Sequence, residues 1–131
     1  MVTDRPAKQV IVMRTDLNMR KGKMVAQGAH ASTFVTLHVK DVVGSGLREH
    51  AWTPAWDAWI TGSFTKVCVG VDSEEGLLAV LTEAQAAGLP IYLVTDAGRT
   101  EFHGQPTRTC LAIGPAWADE VDAITGKLRL L

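Results

Sequence analysis

Lys23, Gln27 and His30 recur at i, i+4 and i+7 within the stretch TDLNMRKGKMVAQGAHAS. If that stretch is helical, an ammonium, an amide and an imidazole share one stripe. Arg20 and Lys21 add positive charge just ahead of it, and Gly22 separates the lysines. All this lies where the apolar run QVIVM hands over to helical spacing. A helix N-terminus offers unpaired N–H groups and a partial positive charge, which suits an anion such as a phosphate. The plainer reading of the same residues is a solvated basic turn followed by a polar helix face.

A second cluster, TDAGRTEFHGQPTRT, leaves a later strand-like run. Asp96-Ala97-Gly98 reads as a tight turn, with Arg99 and Thr100 directly behind it. Asp96 can serve that turn through an Asx hydrogen bond. It can also orient or activate a water, with Thr100 positioning it and Arg99 holding a phosphate or the carboxylate itself. His103 reads as a loop surface residue, and Lys66, near the start of another strand, could reach the same rim. The sequence holds no Walker A loop, no G-x-G-x-x-G, no zinc spacing and no G-x-S-x-G elbow. What remains is lysine, histidine, aspartate and threonine, a set that suits non-covalent activation of water against an ester, with an ammonium or backbone N–H groups holding the oxyanion.

The elements that must position these residues follow from periodicity and punctuation. Gln9–Met13 is β-branched and apolar, and residues 14–20 form a polar connector. From Lys21 to about Lys40, Met24, Gly28, Ala31, Val35 and Val39 recur at helical spacing, and Gly44-Ser45-Gly46 break the pattern. Trp52, Trp56 and Trp59 follow at i, i+4, i+7 around Pro54, which predicts a short helix with an aromatic stripe. That stripe can pack on the core or a dimer contact, or stack bases. Phe64–Val71 is a second strand, and Asp72 or Ser73 caps a helix that stops at Gly88 with Pro90 behind it. Ile91–Thr95 and Thr109–Ile113 are further strands, Gly114-Pro115 ends the last, and a short acidic helix spans about Trp117–Ile124. Strands separated by helices favour parallel crossovers, while the last two, joined by a polar loop, pair antiparallel. The expected fold is α/β: three α/β/α layers around a small mixed sheet, with function on the loops at strand ends.

At 131 residues the chain is expected to be a single domain, residues 1–131. A net charge of −1 excludes a broadly basic nucleic-acid coat but leaves room for a local basic patch. No window approaches a membrane span, and MVTDRPAK lacks the apolar core of a secretory signal. Cys68 and Cys110 sit inside apolar runs and read as buried thiols of a reducing, cytoplasmic protein.

Three segments together, RTDLNMRKGKMVAQGAHAS, LPIYLVTDAGRTEF and LAIGPAWADEVDAITGKLRLL, resemble the archaeal/eukaryotic-type (type 2) peptidyl-tRNA hydrolases. The resemblance runs from about Gln9 to Leu131 and extends to the spacing between the segments. It implies a four-stranded mixed sheet between helices, often in a homodimer. The implied activity is hydrolysis, without metal or cofactor, of the ester joining a peptide to the tRNA 3′-terminal ribose. On matching positions, Lys23, His30, Asp96 and Thr100 are the implied catalytic group. Arg20, Lys21, Gln27, Lys66, Arg99 and Thr109 are implied to support it or to contact tRNA. Either His30 or Asp96 would take the proton from water, with Lys23 and Thr100 facing the oxyanion. Where the family often has a Cys-Ser pair before the helix histidine, this chain has Gly28 and Ala29, and its loop EFHGQPTRT is about one residue longer. A non-catalytic module that binds RNA ends on the same scaffold is the alternative.

Overall fold

The computed structural model describes residues 5–37, 53–98 and 102–131. Its elements run β1 (Ala7–Arg14), α1 (Lys21–Thr36), α2 (Pro54–Thr61), β2 (Lys66–Val71), α3 (Glu74–Ala86), β3 (Ile91–Asp96), β4 (Thr107–Trp117), α4 (Ala118–Thr125) and β5 (Arg129–Leu130). The sheet order is β3-β4-β1-β2-β5. β1 and β2 are parallel, and β4 runs antiparallel to both of its neighbours, β1 and β3. The α/β class and the antiparallel pairing of β3 with β4 match the expectation. The sheet has five strands rather than four, because Arg129 and Leu130 pair antiparallel with the edge of β2. Two residues cannot display a period, so the tail sequence carries no strand signal.

Alternation along β1 divides the core. Val10 and Val12 point to one face, where Val69, Leu111 and Ile113 meet Leu77, Val80 and Ala84 of α3 and Val121 and Ile124 of α4. Met13 points to the other, with Val94, Cys110 and Ala112, and is covered by Ala31 and Val35 of α1. Gln9 shares that second face and is fully buried. Its amide donates to Thr36 Oγ1 at 2.9 Å and to the Gly114 carbonyl at 3.3 Å, and it accepts from the Ser32 hydroxyl. A buried amide left unpaired would be costly, so these bonds pin the last turn of α1 to the sheet.

Helix ends obey local chemistry. Ser73 caps α3 by accepting from the Gly76 N–H at 2.9 Å. Thr53 caps α2 in the same way at 3.1 Å, with Pro54 in the first turn. The aromatic stripe of α2 turns inward: Trp56 and Trp59 are buried, and their indoles donate to the Thr36 and Thr65 carbonyls. Base stacking on these rings is thereby excluded; Trp52 lies outside the described residues. Strand β4 continues through Gly114-Pro115 instead of ending there. Gly114 takes φ +92°, and a register shift between Lys8 and Val10 lets pairing resume at Ala116 and Trp117.

Candidate active site

The C-terminal ends of the parallel strands β1 and β3 and the N-terminus of α1 meet at one edge of the sheet. α1 opens with Lys21 and Lys23, has no acidic residue in its first turn, and Arg20 makes no side-chain cap. Cations at a helix N-terminus oppose the helix dipole, so this end calls for a negative charge. Asp96, the last residue of β3, supplies it. Its Oδ1 accepts from Lys23 Nζ at 2.9 Å and from Gln27 Nε2 at 3.2 Å, and its Oδ2 accepts from the Gly98 N–H at 2.8 Å. Both members of the ion pair are mostly enclosed, with side chains 14% and 15% exposed. The Lys23 ammonium also lies 5.6 Å from the centre of the Phe102 ring.

An ionised carboxylate only accepts hydrogen bonds, so Gln27 must turn its NH₂ toward Asp96. Its carbonyl then faces the Thr109 hydroxyl, which donates to it. Thr109 is fully buried and Gln27 nearly so. The Cys110 thiol donates to the Gln27 backbone carbonyl at 3.4 Å, tying helix to strand. A relay from Thr109 through Gln27 to Asp96 thus fixes the carboxylate from below. Thr109→Val keeps the shape but leaves a buried carbonyl unpaired. It should cost about 1–3 kcal/mol in urea unfolding and lower turnover as Asp96 loosens. An unchanged unfolding midpoint with full turnover would remove the relay from the site.

Burial works on Asp96 in the opposite direction to its partners. Enclosure raises its pKa, but the Lys23 hydrogen bond, the Gly98 N–H, the Lys23 charge and the Gln27 amide together hold it below the ordinary carboxylate value. Asp96 is therefore ionised throughout the neutral range. Gly98 takes φ +83°, and a Cβ there would collide with the Gln105 carbonyl. Only glycine brings this N–H under the carboxylate without moving the loop. The Asp-x-Gly turn was legible as an Asx motif; that it grips the carboxylate beside Lys23 was not.

The remaining expected site residues divide. Arg20 and Lys21 are exposed at the same edge. Arg14, not among the expected residues but at the end of β1 beside them, is engaged with Asp16 at 2.7 Å and with the Arg108 carbonyl at 3.0 Å, and the Asp16 hydrogen bond raises its pKa. His30 lies seven residues beyond Lys23, roughly 10 Å along the helix axis. There its ring packs on Phe34 at 4.2 Å, with Tyr92 at 6.4 Å. Lys66 does not join the cluster. It pairs with Gln9, at the opposite end of the sheet from Asp96, and its ammonium sits 3.0 Å over the Phe64 ring and 5.0 Å from Trp59. Burial lowers its pKa. Arg99 and Thr100 lie outside the described residues. His103 is exposed in the loop behind them, with φ +52°. Both cysteines are free thiols; burial raises the pKa of Cys68 and pushes Cys110 up to about 12, far from a nucleophile. Among the described residues, no group of three or more His, Cys, Asp or Glu side chains could hold a metal ion.

A three-layer α/β domain with a lysine–carboxylate pair at its strand ends defines a class of site able to polarise an ester and direct a water at it. Residues 7–131 match the family Peptidyl-tRNA hydrolase PTH2. Proteins named peptidyl-tRNA hydrolase from Metallosphaera sedula and Methanocaldococcus jannaschii are 40% and 41% identical to the chain. Each alignment covers 95% of this chain and 99% of the relative. The Saccharolobus solfataricus protein of that name is 40% identical, covering 95% of this chain and 98% of its own. The chain belongs to the peptidyl-tRNA hydrolase PTH2 family.

Proposed function

We propose that the Lys23–Asp96 pair is where this chain, a peptidyl-tRNA hydrolase, breaks the ester between peptide and terminal ribose, without a metal ion. The observation that carries this reading is the single cluster in which Asp96 accepts from Lys23, Gln27 and the Gly98 N–H. The ester carbonyl takes the Lys23 ammonium from Asp96. Asp96, relieved of its strongest cation, becomes the better base at the moment it is needed. It accepts a proton from the attacking water as the new C–O bond forms, and Lys23 holds the oxyanion. Collapse breaks the bond to the ribose oxygen, which leaves with the proton from Asp96, and the peptide departs as a carboxylic acid that releases the water's second proton to solvent. Thr100 and Arg99 are proposed to take part in the reaction on the strength of the family resemblance alone.

The basic edge would seat the acceptor end of the tRNA. Replacing Arg20 and Lys21 together by alanine should weaken tRNA binding and make its log–log salt dependence shallower by about 1–2. An unchanged slope would put the docking surface elsewhere. No helix among the described residues is long and apolar enough to cross a membrane. A protein acting on tRNA belongs with translation, and we place it in the cytoplasm. Any homodimer is proposed to use the face bearing exposed Val25 and Phe64, and sedimentation at micromolar concentration tests it: a monomer there would overturn it.

The deciding experiment is release of N-acetyl-amino acid from N-acetyl-aminoacyl-tRNA in EDTA, with wild type and Asp96→Ala compared. Turnover by the wild type alone supports a metal-free hydrolase working through Asp96. Folded protein that binds tRNA without turnover would favour a binding module. Activity lost only on chelation would overturn metal independence.

A further inference from the structure

The stripe that carries Lys23 and Gln27 does not stop at the ion pair. It continues down α1 to His30 and Phe34, and on β3 the residue four places before Asp96, on the same face, is Tyr92. The His30 ring packs at 4.2 Å on Phe34, and Phe34 meets Tyr92 edge-on at 5.1 Å and 85°. His30 is exposed, whereas Phe34 and Tyr92 are half-buried behind it. An imidazole held in this way is a supported π-face, directly continuous with the reacting cluster.

We propose that His30, braced by Phe34 and Tyr92, is the stacking seat for the adenine base of the substrate's terminal nucleotide. This rests on the hydrolase reading above, with the ester at Lys23 and Asp96. A ribose whose acyl-bearing oxygen lies between those two residues carries its base away from the basic helix start, down α1 toward His30. The peptide is the rival occupant, but its side chains differ from one stalled chain to the next. Every tRNA ends in the same adenosine, and a fixed aromatic wall suits an invariant planar partner. Histidine stacks on bases as other aromatic residues do. This role also accounts for an imidazole held among rings rather than against the carboxylate.

The test compares two minimal substrates, the N-acetyl-aminoacyl ester of adenosine and that of a ribose lacking its base, as a ratio of kcat/KM within each enzyme. A ratio is unaffected by the fraction of a variant that is folded. Wild type should prefer the adenosine ester by about 5–150-fold, the range of one base–aromatic stack. His30→Ala should bring the ratio close to one, mainly through KM. His30→Phe should restore it, because a π-face suffices for stacking but cannot transfer a proton. A wild-type ratio near one overturns the seat while leaving the hydrolase intact. A His30→Ala ratio that stays at the wild-type value, with both esters slowed equally in His30→Ala and His30→Phe, also overturns it and returns His30 to proton transfer. Absence of turnover on full N-acetyl-aminoacyl-tRNA would instead overturn the hydrolase reading, and the seat with it.

Discussion

Asp96→Ala should lower turnover of N-acetyl-aminoacyl-tRNA by about 10²–10⁴-fold while leaving affinity for deacylated tRNA equal or slightly higher. The loss has that size under the proposed mechanism, in which the carboxylate accepts the water's proton. The affinity does not fall because a negative charge at a basic edge repels phosphates rather than holding them. Alanine also leaves Lys23 and the Gln27 amide without their shared partner, so part of the loss could come from a slack site. Asp96→Asn separates the two effects. It keeps an oxygen for the Gly98 N–H and the shape of the turn, but it cannot take a proton. A fall nearly as deep with Asn as with Ala assigns the loss to proton transfer. Substantial turnover with Asn would mean that Asp96 only holds Lys23 in place, and the base would have to be sought elsewhere.

The stripe on α1 shows what the sequence could and could not say about this site. Spacing put Lys23, Gln27 and His30 on one helix face, and the structure agrees. Periodicity, however, gives direction around an axis and not distance along it. Seven residues separate Lys23 from His30, and in that span the strand opposite changes from Asp96 to Tyr92. One stripe therefore serves two chemically different places. Thr109 shows the converse. It lies in an apolar strand run, and only the crossing of α1 over β4 places its hydroxyl under Gln27. Such a contact between residues 82 apart leaves no local mark.

The fold was legible wherever local chemistry and tertiary packing agreed. Ser73, Pro54 and Gly88 act at helix ends as their types suggest. At Gly114-Pro115 the two disagreed. A glycine–proline pair reads as a stop, yet Lys8 and Ala7 on the neighbouring strand offer partners beyond it, and a bulge accommodates the misfit. Tryptophans at helical spacing likewise define a face without saying what covers it. Here the covering surface is Ala7 and the start of β1.

Lys23→Met should cost about 10²–10³-fold in kcat, the usual loss for one oxyanion donor, and should also move the acid limb of the kcat/KM profile to higher pH. The direction follows from the forces on Asp96. Burial, the largest influence, raises its pKa, and Lys23 opposes this through both its hydrogen bond and its charge. Methionine removes both and keeps the enclosure, leaving only the Gly98 N–H and the Gln27 amide to oppose it. In the wild type Asp96 is held below the ordinary value, so it is ionised, and the enzyme competent, down to that lowered pKa; the variant loses the ionised form sooner on acidification. Stability follows the same sign. The contribution from ionised Asp96 is fully present above its unfolded pKa of about 3.9 and is lost as pH falls through the lower folded value. The variant lacks that contribution and should unfold in acid at higher pH. Coincident acid limbs in the two proteins, with the rate still depressed, would assign the limb to a group other than Asp96 and leave Lys23 only its part at the oxyanion.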